Sequence, residues 1–556
     1  MSTGMVEMVR GTQRYFIESR PQGDDVVIPW PMSYAKDEGS FVLDDEVVLD
    51  APPELRDILA REFRGSGPRW AAAGGAGDGS AGGGGVPRRM VLEIDTALPA
   101  EGYHLDVTPD LVRVRGGAPA GVFYAIQTLK QLLPPEVYRA AHASRPAWSV
   151  PCCRIEDRPA HSWRGCLLDV ARYFMPKDFL FRLIDLLALH KLNVLQLHLT
   201  DDDGWRVESK RYPRLTQAGA WREETRWWWE ERGDGTPHGG FYTQADLAEI
   251  VAYAGQRFIT VVPEIEMPAH TGAAITAYPE LGHHPDAPPR SSIPPDHDDV
   301  LNVEDGTLEF FQNVLEEVLE IFPSTFIHIG GDECPKEPWR NSPRAQLRMR
   351  ELGLADEDEL QSWFITQMDS WLTARGRRLV GWDEIGEGGL APGATVMSWR
   401  GQEGGITAAR AGHDVVMAPT SPTYLDYYQS ESPDEPLAIG GHVPLEAVYA
   451  YEPVPAALSD TEASHVLGAQ VQLWTGFLPA GPQVEYMAFP RACAFAEAVW
   501  RSRRDRPYEE FLERLDNHLH RLDALGVNYR PLSGPLPWQQ GGTGRFNRPN
   551  QPQMVD

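Results

Sequence analysis

Eight short apolar segments recur after about residue 155, separated by polar turns and, in most cases, by amphipathic helices. Strands buried on both faces read as apolar runs, and strands that alternate with helices form parallel sheets. The pattern therefore predicts an α/β fold, a closed (β/α)8 TIM barrel. The alternative is a doubly wound open sheet, which usually has fewer strands and a nucleotide fingerprint. The predicted strands are 166–170, 193–199, 258–265, 325–331, 378–382, 395–399, 414–418 and 469–474.

A smaller α+β domain is predicted before the barrel, because short β-rich segments there lead into a helical pattern at 121–133. The 556 residues accommodate both units. We predict an N-terminal domain at 1–150, the barrel at 151–530 and an irregular tail at 531–556. A glycine-rich stretch at 71–85 lacks a following Lys-Ser/Thr, so it predicts a flexible loop rather than a phosphate site.

The charge of the chain argues against several partners. A formal net charge of −29 disfavours nucleic acid and anionic membrane surfaces, which bind basic patches. Five cysteines without a CxxC pair give no support for a disulfide framework or a zinc site, and we expect neither metal nor cofactor. No apolar run reaches the ~18 residues of a membrane helix. We expect a cytoplasmic protein without a signal peptide, a monomer or a homodimer.

Polar and aromatic side chains follow the predicted strands, and barrel chemistry gathers at the carboxyl ends of strands. Carboxylates interleaved with aromatic rings suit a sugar, which has an apolar face for stacking and hydroxyls for charged hydrogen bonds. The sequence therefore predicts a sugar site at the barrel mouth. Its candidates are Asp201, Asp202, Glu264, Glu266, His270, His328, Asp332, Glu333, Trp382, Trp399, Tyr424, Asp426 and Trp474, with Arg164 at the start of strand one.

Asp332 and Glu333 are adjacent in the sequence, so their Cα atoms lie only ~3.8 Å apart. Retaining glycosidases normally place two carboxyl groups ~5–5.5 Å apart on opposite sides of the scissile bond. Neighbours on one strand end are poorly placed for that arrangement. The difficulty disappears if a 2-acetamido group of the substrate attacks the anomeric carbon, because the enzyme then needs only one acid and one carboxylate that orients the amide.

The segment HIGGDE at 328–333 resembles the signature of glycoside hydrolase family 20, the β-N-acetylhexosaminidases. LDVARYFMP, LHLTDDDGW, PEIEMPAH, TYLD, LWT and EYMAFPR resemble other segments of that family, in its order. The resemblance covers about residues 150–505, and the preceding unit resembles the family's N-terminal domain. It implies a retaining exo-β-N-acetylhexosaminidase that removes terminal β-linked GlcNAc or GalNAc through an oxazolinium ion, without a cofactor.

The resemblance also implies roles for the candidate residues. Glu333 would be the general acid/base, and Asp332 would hold the acetamido nitrogen. Asp201 and His270 would form a relay behind Glu333. Arg164 would bind the 3- and 4-hydroxyls and Asp426 the region of the 6-hydroxyl. The walls of the sugar pocket would be Trp382, Trp399 and Trp474, with Tyr424 bound to the acetamido carbonyl. His328, Glu264 and Glu266 would be supporting residues.

The match departs from the family at Gly476, where a Glu that binds the 4-hydroxyl is common, so the preference between GlcNAc and GalNAc stays open. The roles of the loops at 222–240 and 277–300 stay open as well. His283 and His284 have irregular spacing and predict a rim loop rather than a metal site. The alternatives are a glycosidase with Glu264 or Asp201 as nucleophile, a non-catalytic sugar-binding barrel and, third, a metal-dependent hydrolase.

Overall fold

The computed structural model describes residues 26–63, 71–72, 87–139, 147–226, 233–284, 287–288, 290–294, 300–501 and 507–540. Of the predicted glycine-rich loop, only residues 71 and 72 lie within these ranges. Of the predicted irregular tail, residues 531–540 do, and they form turns in which Trp538 is 76% exposed.

The N-terminal unit is a mixed seven-stranded sheet in the order β1-β7-β5-β6-β4-β2-β3. Its strands are Ser33–Leu43 (β1), Val48–Asp50 (β2), Ala71–Ala72 (β3), Arg89–Ile94 (β4), Tyr103–Val107 (β5), Leu111–Gly116 (β6) and Trp148–Asp157 (β7). Its helices are Pro53–Glu62 (α1) and Pro119–Leu132 (α2), followed by a 3-10 turn at Pro135–Tyr138. Strand β7 runs to Asp157, so the predicted domain boundary at residue 150 falls inside this strand.

The predicted barrel is confirmed as a closed ring of eight parallel strands. They are Trp163–Asp169 (β8), Val194–His198 (β9), Thr260–Glu264 (β10), Phe326–His328 (β11), Arg378–Trp382 (β12), Thr395–Ser398 (β13), Val415–Met417 (β14) and Val466–Leu473 (β15). Each overlaps a predicted segment. The ring closes where β15 pairs with β8, with Gly468 opposite Trp163 and Leu473 opposite Leu168.

Helices surround the barrel, and none of those in the described ranges is long and apolar enough to cross a bilayer. The main ones are Lys177–Leu189 (α3), Gln244–Gly255 (α4), Asp305–Ile321 (α5), Glu357–Thr373 (α6), Glu403–Arg410 (α7), Gly481–Ala488 (α8), Arg491–Trp500 (α9) and Tyr508–Ala524 (α10). Another helix lies at Pro343–Leu352, and short helical turns lie at Arg214–Gln217, Gly272–Ala277, Pro279–Leu281, Glu337–Asn341, Asp383–Gly386, Thr420–Thr423, Leu445–Ala450 and Asp460–Ala463. Helix α5 shows why these segments pack: Leu308, Phe311 and Leu315 recur at helical spacing and are buried.

A chain of hydrogen bonds runs through the barrel interior toward its mouth. The indole of Trp163, at the start of β8, donates to Gln470 Oε1 at 3.1 Å. Gln470 Nε2 donates to Gln196 Oε1 at 2.8 Å, and Gln196 Nε2 donates to Glu264 Oε2 at 2.8 Å. Each of these buried polar groups therefore has a partner, and the last one is a carboxylate at the carboxyl end of β10.

A buried ion pair joins the N-terminal sheet to the barrel. Asp157, the last residue of β7, accepts hydrogen bonds from Tyr103 Oη at 2.7 Å and from the indole of Trp500 at 2.9 Å. Lys191, just after α3, lies with its Nζ 3.1 Å from the Asp157 carboxylate, and both side chains are fully buried. The two units therefore share an ionic contact that neither unit completes alone.

Removing one member of this pair should destabilise the whole protein. We expect Asp157→Ala to lower the free energy of unfolding by about 3–5 kcal/mol, because the Lys191 ammonium would be left buried without its partner. The measurement is urea unfolding followed by circular dichroism. The control is Asp37→Asn, which breaks the exposed pair with Arg154 and should change stability by less than about 1 kcal/mol. Equal effects of the two changes would contradict the assignment.

Candidate active site

The barrel register brings the last residues of four neighbouring strands to one level. Asp169 of β8 pairs with His198 of β9, His198 pairs with Glu264 of β10, and Glu264 pairs with His328 of β11. All four are buried. The carboxyl end of the barrel thus carries a continuous belt of titratable side chains, as expected for the functional face of this fold.

Glu264 is the centre of this belt. Its Oε2 lies 2.8 Å from His198 Nδ1, in addition to the bond from Gln196. Its Oε1 accepts from the indole of Trp382 at 2.9 Å and lies 3.0 Å from His328 Nδ1. Burial alone would raise the pKa of Glu264, but the two histidines hold it well below its usual range. Glu264 is therefore an ionised carboxylate with partners on both oxygens.

His198 is held as a cation between two carboxylates. Its Nε2 lies 2.8 Å from Asp201 Oδ2, opposite the contact with Glu264. Burial would lower the pKa of His198, but Glu264 and Asp201 outweigh it and raise the pKa to about 10. Asp201 also pairs with Arg172 Nη2 at 2.8 Å, and the Arg172 and His270 charges lower the pKa of Asp201 despite its burial.

The loop after β11 carries Asp332 and Glu333 in a tightly constrained backbone. Gly330 and Gly331 have φ of +68° and +92°, and a Cβ at Gly330 would meet Glu266 Oε2 at 1.6 Å, so a side chain is excluded there. Glu333 itself has φ +47°, a conformation that non-glycine residues rarely adopt outside functional sites. The loop separates the two neighbours: the Asp332 side chain is 13% exposed and the Glu333 side chain 60%.

His270 connects both carboxylates to a third. Its Nε2 lies 3.4 Å from Glu333 Oε2 and 3.6 Å from Asp332 Oδ2. Its Nδ1 donates to Asp202 Oδ2 at 3.1 Å, whereas Asp201 Oδ1 is 3.9 Å away. The predicted Asp201–His270 relay is therefore corrected to Asp202–His270.

A two-residue hairpin explains this correction. Asp201 pairs with Gly204 as the last strand residue before the turn of the hairpin, and Asp202 is the first residue of that turn. Asp201 consequently faces His198 and Arg172, while Asp202 faces His270.

Proton affinities around His270 are strongly shifted. Asp201 and Asp332 outweigh burial and raise the pKa of His270 well above its usual range. The resulting cation lowers the pKa of Glu333. Burial, Asp332 and Glu264 raise the pKa of Glu266 well above its usual range, and neither of its oxygens has a hydrogen-bond partner among the described residues. The belt therefore mixes ionised and neutral carboxyl groups.

Four aromatic rings form a box beside Asp332. Trp382 lies with its ring centroid 5.8 Å from that of Trp474, and Tyr424 lies 6.3 Å from Trp474. Trp399 lies 6.2 Å from Tyr424 at an interplanar angle of 25°. The structure thus brings together the four aromatic residues that the sequence predicted from the ends of strands five, six and eight and the segment after strand seven.

Arg164 does not reach this box, which corrects its predicted role. It lies near the amino-terminal end of β8, where its guanidinium donates to Glu101 at 2.8 Å, to Tyr124 at 2.9 Å and to the carbonyls of His161 and Lys191. This is the junction with the N-terminal sheet, at the end of the strand opposite to the site. Arg164 is a buried structural cation.

Arg172, just after β8, is the arginine at the mouth. Besides Asp201 it contacts Asp169 Oδ2 at 3.5 Å, and its guanidinium carbon lies 5.1 Å from the centroid of the Trp474 ring. The segment LDVARYFMP already contained this residue. The rule that carboxyl ends of strands carry the chemistry would have selected Arg172 over Arg164.

Asp426 and Asp332 each present a free acceptor atom. Asp426 follows Tyr424 by two residues and is buried, and burial raises its pKa to about 8. Within the described residues, neither Asp426 Oδ1 nor Asp332 Oδ1 has a hydrogen-bond partner, although both atoms are buried. Buried acceptors of this kind are rare in folded proteins and indicate a place for a polar ligand.

Two further residues behind the box were missed. Glu384 accepts from the indole of Trp399 at 2.9 Å, and Asp383 accepts from the backbone N–H of Trp399 at 3.2 Å. Both follow β12 directly, a position from which the same strand-end rule would have selected them.

Four groups of His, Cys, Asp or Glu side chains lie close enough within the described residues to share an ion, and none includes His283 or His284. Three lie at the barrel mouth, where neighbouring carboxylates raise the pKa of His198 and of His270. The fourth group comprises His190, Cys493 and His518 in the barrel wall. Arg521 donates to His518 Nδ1 at 3.4 Å, and a guanidinium at that position opposes a second cation.

The barrel and its mouth define a class: a (β/α)8 barrel that gathers aromatic rings and carboxyl groups at the carboxyl ends of its strands. Residues 161–503 match the model for the glycosyl hydrolase family 20 catalytic domain, and residues 25–158 match that family's domain 2. The chain belongs to glycosyl hydrolase family 20.

Curated relatives and solved structures agree with this assignment. The β-hexosaminidase of Porphyromonas gingivalis is 44% identical over 94% of this chain, which spans 66% of that relative, just under two thirds. The β-N-acetylhexosaminidase of Cellulomonas fimi is 32% identical over 94% of this chain and 98% of its own. The Vibrio harveyi exo-β-N-acetylglucosaminidase bound to N-acetylglucosamine superposes with a TM-score of 0.79 at 34% identity, over 91% of this chain and 78% of its own.

Neutralising Glu264 should destabilise the belt in a pH-dependent way. The raised His198 pKa contributes stability that is present below the ordinary histidine pKa and lost as pH rises through about 10. We expect Glu264→Gln to lower the free energy of unfolding by about 3–5 kcal/mol at pH 7, because His198 would lose a buried partner. The difference from wild type should shrink toward pH 10.5.

Urea unfolding of both proteins at pH 7 and pH 10.5 measures this effect. The control is Glu249→Gln, which removes a half-exposed partner of Lys177 and should cost less than about 1 kcal/mol at either pH. A pH-independent loss in Glu264→Gln would show that the carboxylate does not hold His198 as a cation.

Proposed function

We propose that this chain is a retaining exo-β-N-acetylhexosaminidase whose substrate supplies the nucleophile. The observation that carries the proposal is the division of labour between two adjacent residues. Asp332 presents a buried acceptor oxygen without a partner beside the aromatic box, while Glu333 extends into the open mouth. An acetamido N–H of the substrate would donate a hydrogen bond to the unpartnered Asp332 Oδ1, and the leaving oxygen would face Glu333.

The other carboxylates argue against a protein nucleophile. Glu264 is fully buried and has partners on both oxygens. Asp201 is buried between His198 and Arg172. A nucleophilic carboxylate must reach the anomeric carbon, and these two are occupied by structural contacts. The geometry therefore favours substrate assistance over the two-carboxylate alternative with Glu264 or Asp201.

The chain's own groups support each step of this reaction. Glu333 donates a proton to the glycosidic oxygen while Asp332 orients the amide so that its carbonyl oxygen attacks C1. Tyr424, whose ring lies beside those of Trp399 and Trp474, can donate a hydrogen bond to that carbonyl as charge develops. Water then opens the oxazolinium ion with Glu333 acting as base. Two displacements at one carbon retain the configuration.

The substrate class follows from the pocket and from the relatives' names. Solved relatives include a β-N-acetylglucosaminidase bound to N-acetylglucosamine, and curated relatives are named β-hexosaminidases. Gly476 offers no side chain to the 4-hydroxyl. We therefore expect this enzyme to accept terminal β-GlcNAc and β-GalNAc alike, and we expect the Arg172 guanidinium and the buried carboxyl group of Asp426 to bind the sugar hydroxyls.

Glu333→Gln should abolish acid catalysis while keeping the size of the side chain at the mouth. We expect a loss of about 10²–10⁴-fold in kcat on 4-nitrophenyl β-GlcNAc and β-GalNAc. The loss should be smaller on the 2,4-dinitrophenyl glycoside, because a better leaving group needs less protonation. Release of the phenol measures both rates. The control is Glu337→Gln, a change to an exposed residue shortly after the loop that should leave turnover intact.

A thiazoline that mimics the oxazolinium ion provides the second arm of this test. Strong competitive inhibition of the wild type is expected if the acetamide attacks C1. Turnover without thiazoline inhibition would favour a protein nucleophile, and sugar binding without any turnover would favour a non-catalytic barrel.

Arg172 and Arg164 should separate binding from stability. Arg172→Met removes a charged donor at the mouth, and we expect kcat/KM to fall by about 10–100-fold, since hydrogen bonds to charged groups contribute about 1.5–3 kcal/mol. Arg164→Met breaks the buried contact with Glu101 and Tyr124, so we expect a lower melting temperature and an unchanged KM in the folded fraction. Steady-state kinetics and thermal unfolding of both variants measure the contrast. A raised KM in Arg164→Met would show that Arg164 does contribute to sugar binding.

A further inference from the structure

The position of the Trp399 indole is set by the loop that follows the neighbouring strand. Its N–H donates to Glu384 Oε2 at 2.9 Å, and its backbone N–H donates to Asp383 Oδ2 at 3.2 Å. Both acids lie in the 3-10 turn at Asp383–Gly386, directly after β12. The ring is therefore fixed at its backbone and at its pyrrole edge by two adjacent residues.

The turn itself is anchored from outside the pocket. Arg400 Nε donates to Asp383 Oδ1 at 2.6 Å, and Arg400 Nη1 donates to Glu387 Oε1 at 2.8 Å. Asp383 and Glu384 are buried, whereas the side chains of Arg400 and Glu387 are 43% and 41% exposed. Of these groups, Glu384 is the one that touches the Trp399 ring.

Glu384 also lies within electrostatic range of Asp332, the residue that faces the acetamido group in the proposed reaction. Burial and the Asp332 charge raise the pKa of Glu384 to about 8, against the opposing effect of the Trp399 hydrogen bond. The raised pKa favours the protonated carboxyl group over the carboxylate. The protonated group can hold the indole through its carbonyl oxygen without placing a second negative charge beside Asp332.

The ring that Glu384 holds faces Tyr424. The Trp399 and Tyr424 planes are within 25° of parallel, with their centroids 6.2 Å apart. Trp399 is only partly buried, so packing alone constrains it less than Trp382, which is almost completely buried. Without the bond from its N–H, the indole is free to swing away from Tyr424 and enlarge this end of the box.

We propose that Glu384 is a positioning residue that determines which N-acyl group the enzyme accepts, by holding the Trp399 indole against Tyr424. This inference rests on the proposed function, since it assumes that the box receives the 2-acylamido group. With the indole held, the box closes around a methyl group and excludes longer acyl chains. A single methylene in such a pocket is discriminated by about 10–200-fold.

The experiment compares 4-nitrophenyl 2-deoxy-2-acylamido-β-glucosides that carry acetyl, propanoyl or butanoyl groups. The readout is the ratio of kcat/KM for the acetyl substrate to that for the butanoyl substrate. Wild type should prefer acetyl by at least tenfold. Glu384→Met, which removes the acceptor and keeps the volume, should lower this ratio by tenfold or more, and Glu384→Ala should lower it as well.

Two matched variants separate the hydrogen bond from charge and from general disturbance. Glu384→Gln keeps a carbonyl acceptor for the indole N–H and should keep the wild-type ratio. Glu387→Gln removes a carboxylate from the same loop that contacts Arg400 rather than Trp399, and it should also keep the ratio. Circular dichroism establishes that each variant is folded.

The outcomes distinguish this inference from the function on which it rests. A wild type that does not hydrolyse the acetyl substrate would overturn the proposed function. A wild type that is active and selective, with an unchanged ratio in folded Glu384→Met or Glu384→Ala, would overturn the role of Glu384 alone. Relaxed selectivity in Glu384→Gln equal to that in Glu384→Met would likewise overturn the hydrogen bond as its cause.

Discussion

The carboxylate of Glu264 is the contact on which the rest of the site depends. It is an anion without exposure to solvent, and burying such a charge is unfavourable unless each oxygen is paired. Its partners come from both neighbouring strands of the ring and from β12, through His198, His328 and Trp382. One side chain thus raises the pKa of His198 and also binds the indole of Trp382, a wall of the aromatic box. The strand register places these side chains at one level, and the Glu264 carboxylate joins them through hydrogen bonds and ion pairs.

Charge balance explains how a strongly acidic chain can concentrate so many carboxyl groups at one mouth. His198, His270 and Arg172 offset part of the negative charge, while burial and the Asp332 charge raise the pKa of Glu266 and of Glu384. Glu333 is different, because in the open site the His270 cation lowers its pKa, which disfavours an acid. A bound sugar would cover this exposed side chain and displace water, and desolvation raises the pKa of a carboxyl group. Substrate binding itself would therefore bring Glu333 toward the protonated form that the reaction needs.

The eight strands were predictable because each is buried on both faces and reads as an apolar run between turns. The residues that fill the mouth were predictable where they lie at the end of a strand or in the loop just after it, as with Trp382 at the end of β12 and Asp332 after β11. The prediction was wrong for Arg164 because β8 has one arginine near its start and another, Arg172, just after its end. Only the direction of the strand shows which of the two lies at the barrel mouth. The prediction was also wrong for Asp201, because a two-residue hairpin decides which of two adjacent aspartates faces His270, and so short a hairpin leaves no periodic signal.

The strained backbone of the loop after β11 is held in place by buried polar contacts around it. Glu333 lies in the left-handed region after two glycines that also have positive φ, an arrangement that persists only if its neighbours fix it. Gln361 of α6 donates to the Gly331 carbonyl at 2.7 Å and accepts from Lys336, while Glu266 fills the space that a side chain at Gly330 would need. These contacts hold Asp332 facing the box and Glu333 facing the mouth. In the proposed reaction, the two adjacent residues would therefore contact different atoms of one substrate.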